Sequence, residues 1–234
     1  MSGEGAGGLV CGFGDLEAGL GALAWNLDGG GAVLLRDGTA SATAADISGD
    51  GEIRVKLAGE DPIEATLSAD RDPAPLSNPP VDSPRSSAPQ AIARLFGGSL
   101  TCRGHLTRWE ESPLEGAGTF RYLAVERDQG SVLIATAWGE PGLEGHGQER
   151  ISAWTIEAGG SVQEFEEALL STQYDRQQNP TRAGLELWPG DDAPPTRVAA
   201  SLIGGAEAGG TWAGILRCSG DGIEGLGSYL LWRA

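Results

Sequence analysis

Short apolar segments separated by turn residues run along almost the whole chain, and they constrain the fold more than any other feature. Within residues 52–57, Ile53, Val55 and Leu57 alternate with polar residues, which is the pattern of a strand with one buried face. Gly49-Asp50-Gly51 just before this segment is typical of a hairpin turn. We predict an all-β chain with little helix, with strands at 21–27, 31–36, 40–47, 52–58, 63–69, 95–103, 118–126, 130–138, 149–157, 183–188, 196–203, 211–219 and 226–233.

Two stretches depart from this pattern. Residues 71–90 contain six prolines, and because proline cannot donate to a strand ladder, we predict a surface loop there. Residues 162–170 fit a strand, but they also fit a short helix with Val162, Phe165 and Leu169 on one side. The pattern leaves both structures open for this second stretch.

A weak internal repeat indicates how the strands are organised. Three segments recur in the same order in both halves, at offsets of about 100, 109 and 116, which drift as insertions would make them drift. We predict two copies of one antiparallel unit, at residues 1–117 and 118–234, although chance similarity in a chain rich in Gly and Ala is the alternative. The matched pairs are 23–35 with 123–135, Ile47 with Ile156, and 100–104 with 216–220.

Charge and cysteine content restrict the partners and the compartment. The net charge of −17 would repel nucleic acid and anionic membranes, since both are bound through basic patches. No apolar run approaches the roughly 20 residues that span a bilayer, and the first residues lack the features of a signal peptide. We therefore predict a cytoplasmic protein without membrane insertion, in which Cys11, Cys102 and Cys218 are reduced and buried. The oligomeric state stays open.

Several segments resemble cofactor or metal-binding motifs, but they lack the neighbouring features that those motifs require. The Gly-x-Gly-x-x-Gly patterns at 3–8 and 220–225 do not lie in a strand–helix–strand unit, so they are better explained as turn glycines. Residues 46–57 begin like a calcium loop, but Leu57 stands where a bidentate glutamate is required. His105 and His146 are the only histidines, and no cysteine lies at metal-ligand spacing from them. We predict neither a cofactor nor a metal site.

Aromatic and ionisable residues give the candidate binding groups. Seven tryptophans are many for a chain with four Phe and three Tyr, and indole suits both a packed core and the wall of a ligand pocket. Residues 104–111 gather an imidazole, a guanidinium, an indole and two carboxylates, and residues 138–146 form a second such group. Ordinary core packing and a solvated connection with charge pairs are the alternatives. The ligand-binding candidates are Trp109, Trp138, Trp154, Trp212 and Arg108.

Two motifs carry a resemblance to a known family. Gly104-His105-x-x-Arg108-Trp109 is followed by Thr119-Phe120-Arg121-Tyr122, and the chain ends with a glycine-rich segment at 218–229. Together they resemble the double-lipocalin proteins typified by carotenoid 1,2-hydratases and AttH-type proteins. The resemblance covers about residues 95–234 and implies two related antiparallel lipocalin-like barrels or half-barrels in tandem. Members of that family differ in reaction, so fold alone does not carry the function over.

Three functions are compatible with these patterns. The first is a cofactor-independent enzyme, of hydratase or cyclase type, acting on an apolar isoprenoid- or polyketide-like molecule in a β-barrel pocket, where a buried carboxylic acid would protonate an alkene. The second is a non-catalytic carrier of an apolar ligand, and the third is a structural or interaction protein with filled barrels. We favour an enzyme without settling the matter. Its catalytic candidates are Glu110, Glu224, Asp221, His105 and Tyr122.

Overall fold

The computed structural model describes the chain in ranges separated by short gaps, and every regular element within them is a β-strand. The prediction of an all-β chain is therefore confirmed for these residues. Among them, no helix is both long and apolar enough to cross a bilayer. The described residues are 8–15, 17, 19–27, 29–49, 52–58, 63–69, 76, 89–97, 102–109, 112–127, 130–143, 145–190 and 194–234.

The first sheet is antiparallel, with nine strands in the order β4-β3-β2-β1-β9-β8-β7-β6-β5. Neighbouring strands are consecutive in sequence except where β1 pairs with β9, which brings the two ends of this segment side by side. The consecutive strands β4 and β5 form the two edges of the sheet. Its strands are β1 (Leu9–Asp15), β2 (Leu20–Asn26), β3 (Gly31–Arg36), β4 (Thr39–Thr43), β5 (Ala45–Ser48), β6 (Glu52–Leu57), β7 (Ile63–Ala69), β8 (Pro89–Gly97) and β9 (Arg103–Trp109).

The second sheet has the same arrangement, in the order β13-β12-β11-β10-β18-β17-β16-β15-β14. It curls into a half-barrel, because β14 contacts β12 across the sheet and the Phe165 amide donates to the Ala153 carbonyl at 3.1 Å. Its strands are β10 (Thr119–Glu126), β11 (Val132–Gly139), β12 (Arg150–Ile156), β13 (Val162–Glu164), β14 (Glu167–Tyr174), β15 (Pro180–Trp188), β16 (Thr196–Ala208), β17 (Thr211–Gly220) and β18 (Ile223–Arg233).

Equal strand order assigns β1 and β2 to the positions of β10 and β11. The sequence repeat instead matched the hairpin at 23–35, formed by β2 and β3, with the hairpin at 123–135, formed by β10 and β11. That match is out of register by one strand, because glycine-turn hairpins resemble one another wherever they occur in a sheet. The boundary between residues 117 and 118 stays a prediction.

Successive side chains of each strand point to opposite faces of its sheet, and this arrangement creates three apolar layers. In β10, Phe120 and Tyr122 face a core between the two sheets, whereas Leu123 and Val125 face the interior of the second sheet. A third core fills the inner face of the first sheet, around Phe13. Strands β2, β3 and β4 contact β16 and β17, so the sheets pack directly on each other.

Several local predictions have clear outcomes. Residues 162–170 contain β13 and the start of β14, so the helical alternative is wrong. The apolar pattern of this short segment fits both a helix and a strand, and the pairing of β14 with β15 favours the strand. Strand β1 was not predicted. Most of the proline-rich stretch at 71–90, namely 71–75 and 77–88, lies outside the described residues, and Pro89 already belongs to β8. The three cysteines are free and buried, as predicted.

Candidate functional site

A buried ion pair lies on the inner face of the second sheet. The Arg121 side chain on β10 has no solvent exposure, and that of Glu149, just before β12, is 1% exposed; one guanidinium nitrogen contacts the Glu149 carboxylate. The guanidinium also donates to the Thr172 hydroxyl and the Leu170 carbonyl, each at 2.9 Å. These bonds offset part of the large cost of removing two charges from water. The sequence therefore places a fixed charge pair inside an apolar layer.

Glu149 is also the inner end of a chain of side chains that leads outward. The His146 Nδ1 lies 2.7 Å from a Glu149 carboxylate oxygen, and its Nε2 is hydrogen-bonded to the Tyr174 hydroxyl. His146 is 22% exposed and Tyr174 is half-buried, so the outer end of the chain is open to solvent. We refer to Tyr174, His146, Glu149 and Arg121 as the relay.

The electrostatics of the relay fix its proton positions. Burial raises the pKa of Glu149, but the hydrogen bond from His146 and the positive charge of Arg121 outweigh it, so the pKa lies below its ordinary value. An ionised carboxylate only accepts hydrogen bonds, and therefore His146 Nδ1 carries the proton. In the neutral imidazole Nε2 is then the acceptor, and the Tyr174 hydroxyl donates to it.

Further polar contacts hold the relay in place. The Thr119 hydroxyl donates to Glu149 at 3.0 Å, and the Thr172 hydroxyl lies 2.8 Å from the Tyr229 hydroxyl. The Trp212 ring packs edge-on against Tyr229, with ring centroids 6.1 Å apart, so this predicted ligand-binding tryptophan lies beside the network. The Arg233 guanidinium lies 5.3 Å from the centroid of the Tyr174 ring.

A second group of polar residues lies between the two sheets. The His105 Nδ1 is 3.5 Å from a Glu126 carboxylate oxygen, and the Tyr122 hydroxyl is 2.7 Å from the Thr107 hydroxyl. Trp109 packs edge-on against Tyr122, with centroids 5.9 Å apart. The structure thus brings together three predicted site residues. We call His105, Tyr122, Thr107 and Glu126 the seam.

The seam is closed to solvent except at Glu126, whose side chain is 13% exposed. His105 is 1% exposed, and Tyr122 and Thr107 are fully buried. A Cβ on Gly12 would lie 2.4 Å from the His105 ring and 2.5 Å from the Ser228 hydroxyl, so only glycine allows the sheets to meet here. Burial raises the pKa of Tyr122, and the hydrogen bond with Thr107 offsets this only in part, so the hydroxyl keeps its proton.

The remaining catalytic candidates are not brought to either group. Asp221 occupies the turn between β17 and β18, where its carboxylate accepts the Arg197 amide at 2.7 Å. It lines a groove of about 350 Å³ on the outer face of the second sheet, and Glu224 is exposed on β18. Glu110 lies outside the described residues. The Arg108 side chain is half-buried and directs one nitrogen to the Gly49 carbonyl at 3.4 Å.

Two predicted tryptophans line the side of the second sheet that faces the first. Trp154 is fully buried, and the partly buried Trp138 packs against the same core. The Arg150 guanidinium lies 5.5 Å from the centroid of the Trp138 ring and bonds Glu140 at 3.0 Å. All these residues point away from the relay.

Sequence reasoning missed most of the relay. It named His146 within the group at 138–146, but not Glu149, Arg121 or Tyr174 as site residues. The available signal was Arg121, a charged residue at an inward position of an otherwise apolar strand. No three His, Cys, Asp or Glu side chains in the described part of the chain lie together as a metal site would require.

Comparison with known proteins defines the fold class. An AttH-type protein from Nitrosomonas europaea superposes with a TM-score of 0.58 at 13% identity, over 96% of this chain and 91% of that chain. CghA gives a TM-score of 0.53 at 10% identity, over 97% of this chain and 88% of that chain. CghA with Sch210972 gives 0.52 at 9% identity over the same shares, 97% and 88%.

These similarities show an AttH-like, lipocalin-type fold and, at such low identities, the fold alone. No protein-family model matches the sequence. No curated protein matches it either. The AttH part of the predicted resemblance is thus supported at the level of fold, and the carotenoid hydratase part stays a prediction.

Proposed function

We propose that this protein is a cofactor-independent acid–base enzyme acting on a largely apolar small molecule, with the relay as its catalytic centre. The observation that supports this proposal is the continuous hydrogen-bonded chain from the half-buried Tyr174 hydroxyl through His146 to the buried Glu149. A hydroxyl held by an imidazole whose second nitrogen is fixed by a carboxylate has the arrangement by which enzymes activate a weak acid or base.

The proton movements follow from the hydrogen bonds. Tyr174 gives its proton to His146 Nε2 as its oxygen takes one from a substrate C–H or O–H bond, so the substrate bond breaks and the tyrosine O–H is restored. The imidazolium that forms is stabilised by the Glu149 carboxylate at 2.7 Å. Return of the His146 proton through Tyr174 to another substrate atom completes an isomerisation or a ring closure. In a hydration, the first proton would come from a water molecule whose oxygen bonds to the substrate, and the returned proton would go to the neighbouring carbon.

The surroundings of the relay favour an apolar substrate with one polar group. Ile151, Phe165 and Leu202 are partly buried and pack against the apolar layer on the relay side of the sheet. Removing a weakly acidic proton there would leave a negative charge on the substrate, near the imidazolium of His146. The terminal nitrogens of Arg121 donate to Glu149, Thr172 and Leu170, so we assign Arg121 to positioning Glu149.

The test is deuterium exchange in D₂O, followed by proton NMR, on a panel of apolar ketones, β-keto esters and polyenes bearing a carbonyl group. We expect accelerated loss of the signal of the acidic proton for at least one compound. Tyr174→Phe should slow that exchange by about 100-fold or more, because general acid–base groups contribute roughly 10²–10⁴-fold.

Ser171→Ala is the matched control, since Ser171 is exposed on the opposite face of the same strand and bonds the Gly184 carbonyl. It should exchange at the wild-type rate. Equal exchange by wild type and Tyr174→Phe would remove the relay from the reaction. Saturable ligand binding without any exchange would instead support the carrier function.

A further inference from the structure

Three buried hydrogen-bond donors on β11 and β12 have no partner. They are the Trp138 indole nitrogen, one terminal nitrogen of the Arg150 guanidinium and the Ser152 hydroxyl. Ser152 is 7% exposed. A buried donor without an acceptor loses its hydrogen bond to water without replacement, and the cost is greater when the group is charged. Three such donors close together therefore need an explanation in terms of what they bind.

The strand register places the three donors side by side. Trp138 pairs directly with Arg150, and Ser152 follows two residues later on the same face of β12. Directly paired side chains have Cβ atoms about 4.5–5.5 Å apart, and diagonal neighbours remain within reach of long side chains. The Arg150 guanidinium stacks near the Trp138 ring, at 5.5 Å from its centroid.

We propose that this face binds the carboxylate of an apolar small molecule. A carboxylate offers about four acceptor positions, which matches a guanidinium nitrogen, an indole N–H and a hydroxyl converging from two strands. Arg150 contributes a charged donor to the site: one terminal nitrogen bonds the exposed Glu140 at 3.0 Å, and the other has no acceptor. A neutral ester or alcohol would offer that nitrogen a weaker acceptor than a carboxylate does.

The apolar part of the ligand would contact the margin of the core between the sheets. Trp138 and Trp232 are partly buried there and lie on the same face as the three donors. The relay lies on the opposite face of the sheet, where Ala137 and Ala153 point. The carboxylate site is therefore independent of the proposed catalytic centre.

The test is isothermal titration of the full chain with dodecanoate, dodecanol and methyl dodecanoate. We expect saturable binding of dodecanoate, and binding of the two neutral compounds at least about 10-fold weaker, because a hydrogen bond to a charged acceptor is stronger than one to a neutral acceptor. Trp138→Phe keeps the aromatic ring and removes the N–H, so it should weaken dodecanoate binding by about 10-fold. Ser152→Ala should act in the same direction.

Trp188→Phe is the matched control, because it removes an indole N–H from β15, on another part of the sheet. It should bind dodecanoate as the wild type does, and so should Tyr174→Phe, which separates this site from the relay. Unfolding curves identify a variant that fails to fold, in which case Ser152→Ala carries the test. Equal binding of acid and ester, no binding of the acid, or unchanged affinity in both variants would overturn the proposal.

Discussion

The relay and the seam contain the same three residue types, a histidine, a glutamate and a tyrosine, and they use the only two histidines of the chain. In the seam, His105 and Glu126 are 3.5 Å apart and the tyrosine is bonded elsewhere, to Thr107. In the relay, His146 and Glu149 are 2.7 Å apart and Tyr174 continues the chain. Composition alone therefore does not distinguish a candidate catalytic group from a structural one.

The relay and the seam differ in their solvent exposure and in the contacts that hold their side chains in place. His105 and Tyr122 of the seam are sealed between two sheets, and the tyrosine keeps its proton; only Glu126 is partly exposed. The relay is anchored by a fully buried guanidinium at one end and is open at the other. A catalytic chain needs both a fixed end and an accessible end.

The largest effect is expected from breaking the anchor of the relay. Arg121→Met leaves the Glu149 carboxylate buried without its cation and should lower the free energy of unfolding by about 3–5 kcal/mol. Urea unfolding followed by tryptophan fluorescence measures it. Adding Glu149→Met to the same chain should recover most of the loss, since an apolar pair of similar volume is often nearly neutral. A double variant as unstable as the single one would show that the charges are not the cause.

The stability of the seam should depend on side-chain volume and not on charge. Gly12→Ala would place a methyl group 2.4 Å from the His105 ring, and we expect a loss of about 1–3 kcal/mol from overpacking. Gly159→Ala is the control, because a Cβ there meets nothing within 4 Å. Thermal unfolding of both variants checks this prediction. Equal stability of the two would mean that the sheets do not meet as closely as described.

A smaller effect on stability is expected when the pH is lowered. The pKa of Glu149 in the folded chain is below its ordinary value of 4.5, which the unfolded chain recovers. The contribution of Glu149 to stability is therefore complete above pH 4.5, and it is lost as the pH falls through the pKa that Glu149 has in the folded chain. Wild type should lose more stability between neutral and acidic pH than the double variant with methionine at 121 and 149. Parallel pH curves for the two proteins would contradict the depressed pKa.

Much of the fold follows from local patterns in the sequence. Alternation at Ile53, Val55 and Leu57 predicted β6 with its buried face, and these three side chains are buried. Strand β1 was missed because Gly12 and Gly14 interrupt its apolar residues, and glycine has low strand propensity. Gly12 is required by the close approach of Ser228 from the second sheet, and Gly14 by the close approach of Leu20 and Gly21 in the neighbouring strand β2. Both are tertiary effects that a local pattern does not contain.

The candidate site was less accessible to sequence reasoning. Arg121 and Glu149 lie 28 residues apart, and their contact depends on the inward side of β10 and on the loop before β12. Tyr174 arrives from the far edge of the sheet only because the sheet curls β14 towards β12. Asp221 was a catalytic candidate because it lies in the glycine-rich segment at 218–229, but in the structure it occupies the turn between β17 and β18.

The most direct test of the comparison is a crossed pair of tyrosine variants, Tyr174→Phe and Tyr122→Phe, each assayed for deuterium exchange and for the free energy of unfolding. We predict that Tyr174→Phe slows exchange by about 100-fold or more with little change in stability. Tyr122→Phe should keep exchange and lose about 1–3 kcal/mol, because it leaves the Thr107 hydroxyl buried without a partner. Loss of exchange in Tyr122→Phe with normal exchange in Tyr174→Phe would contradict the account and move the reaction to the seam.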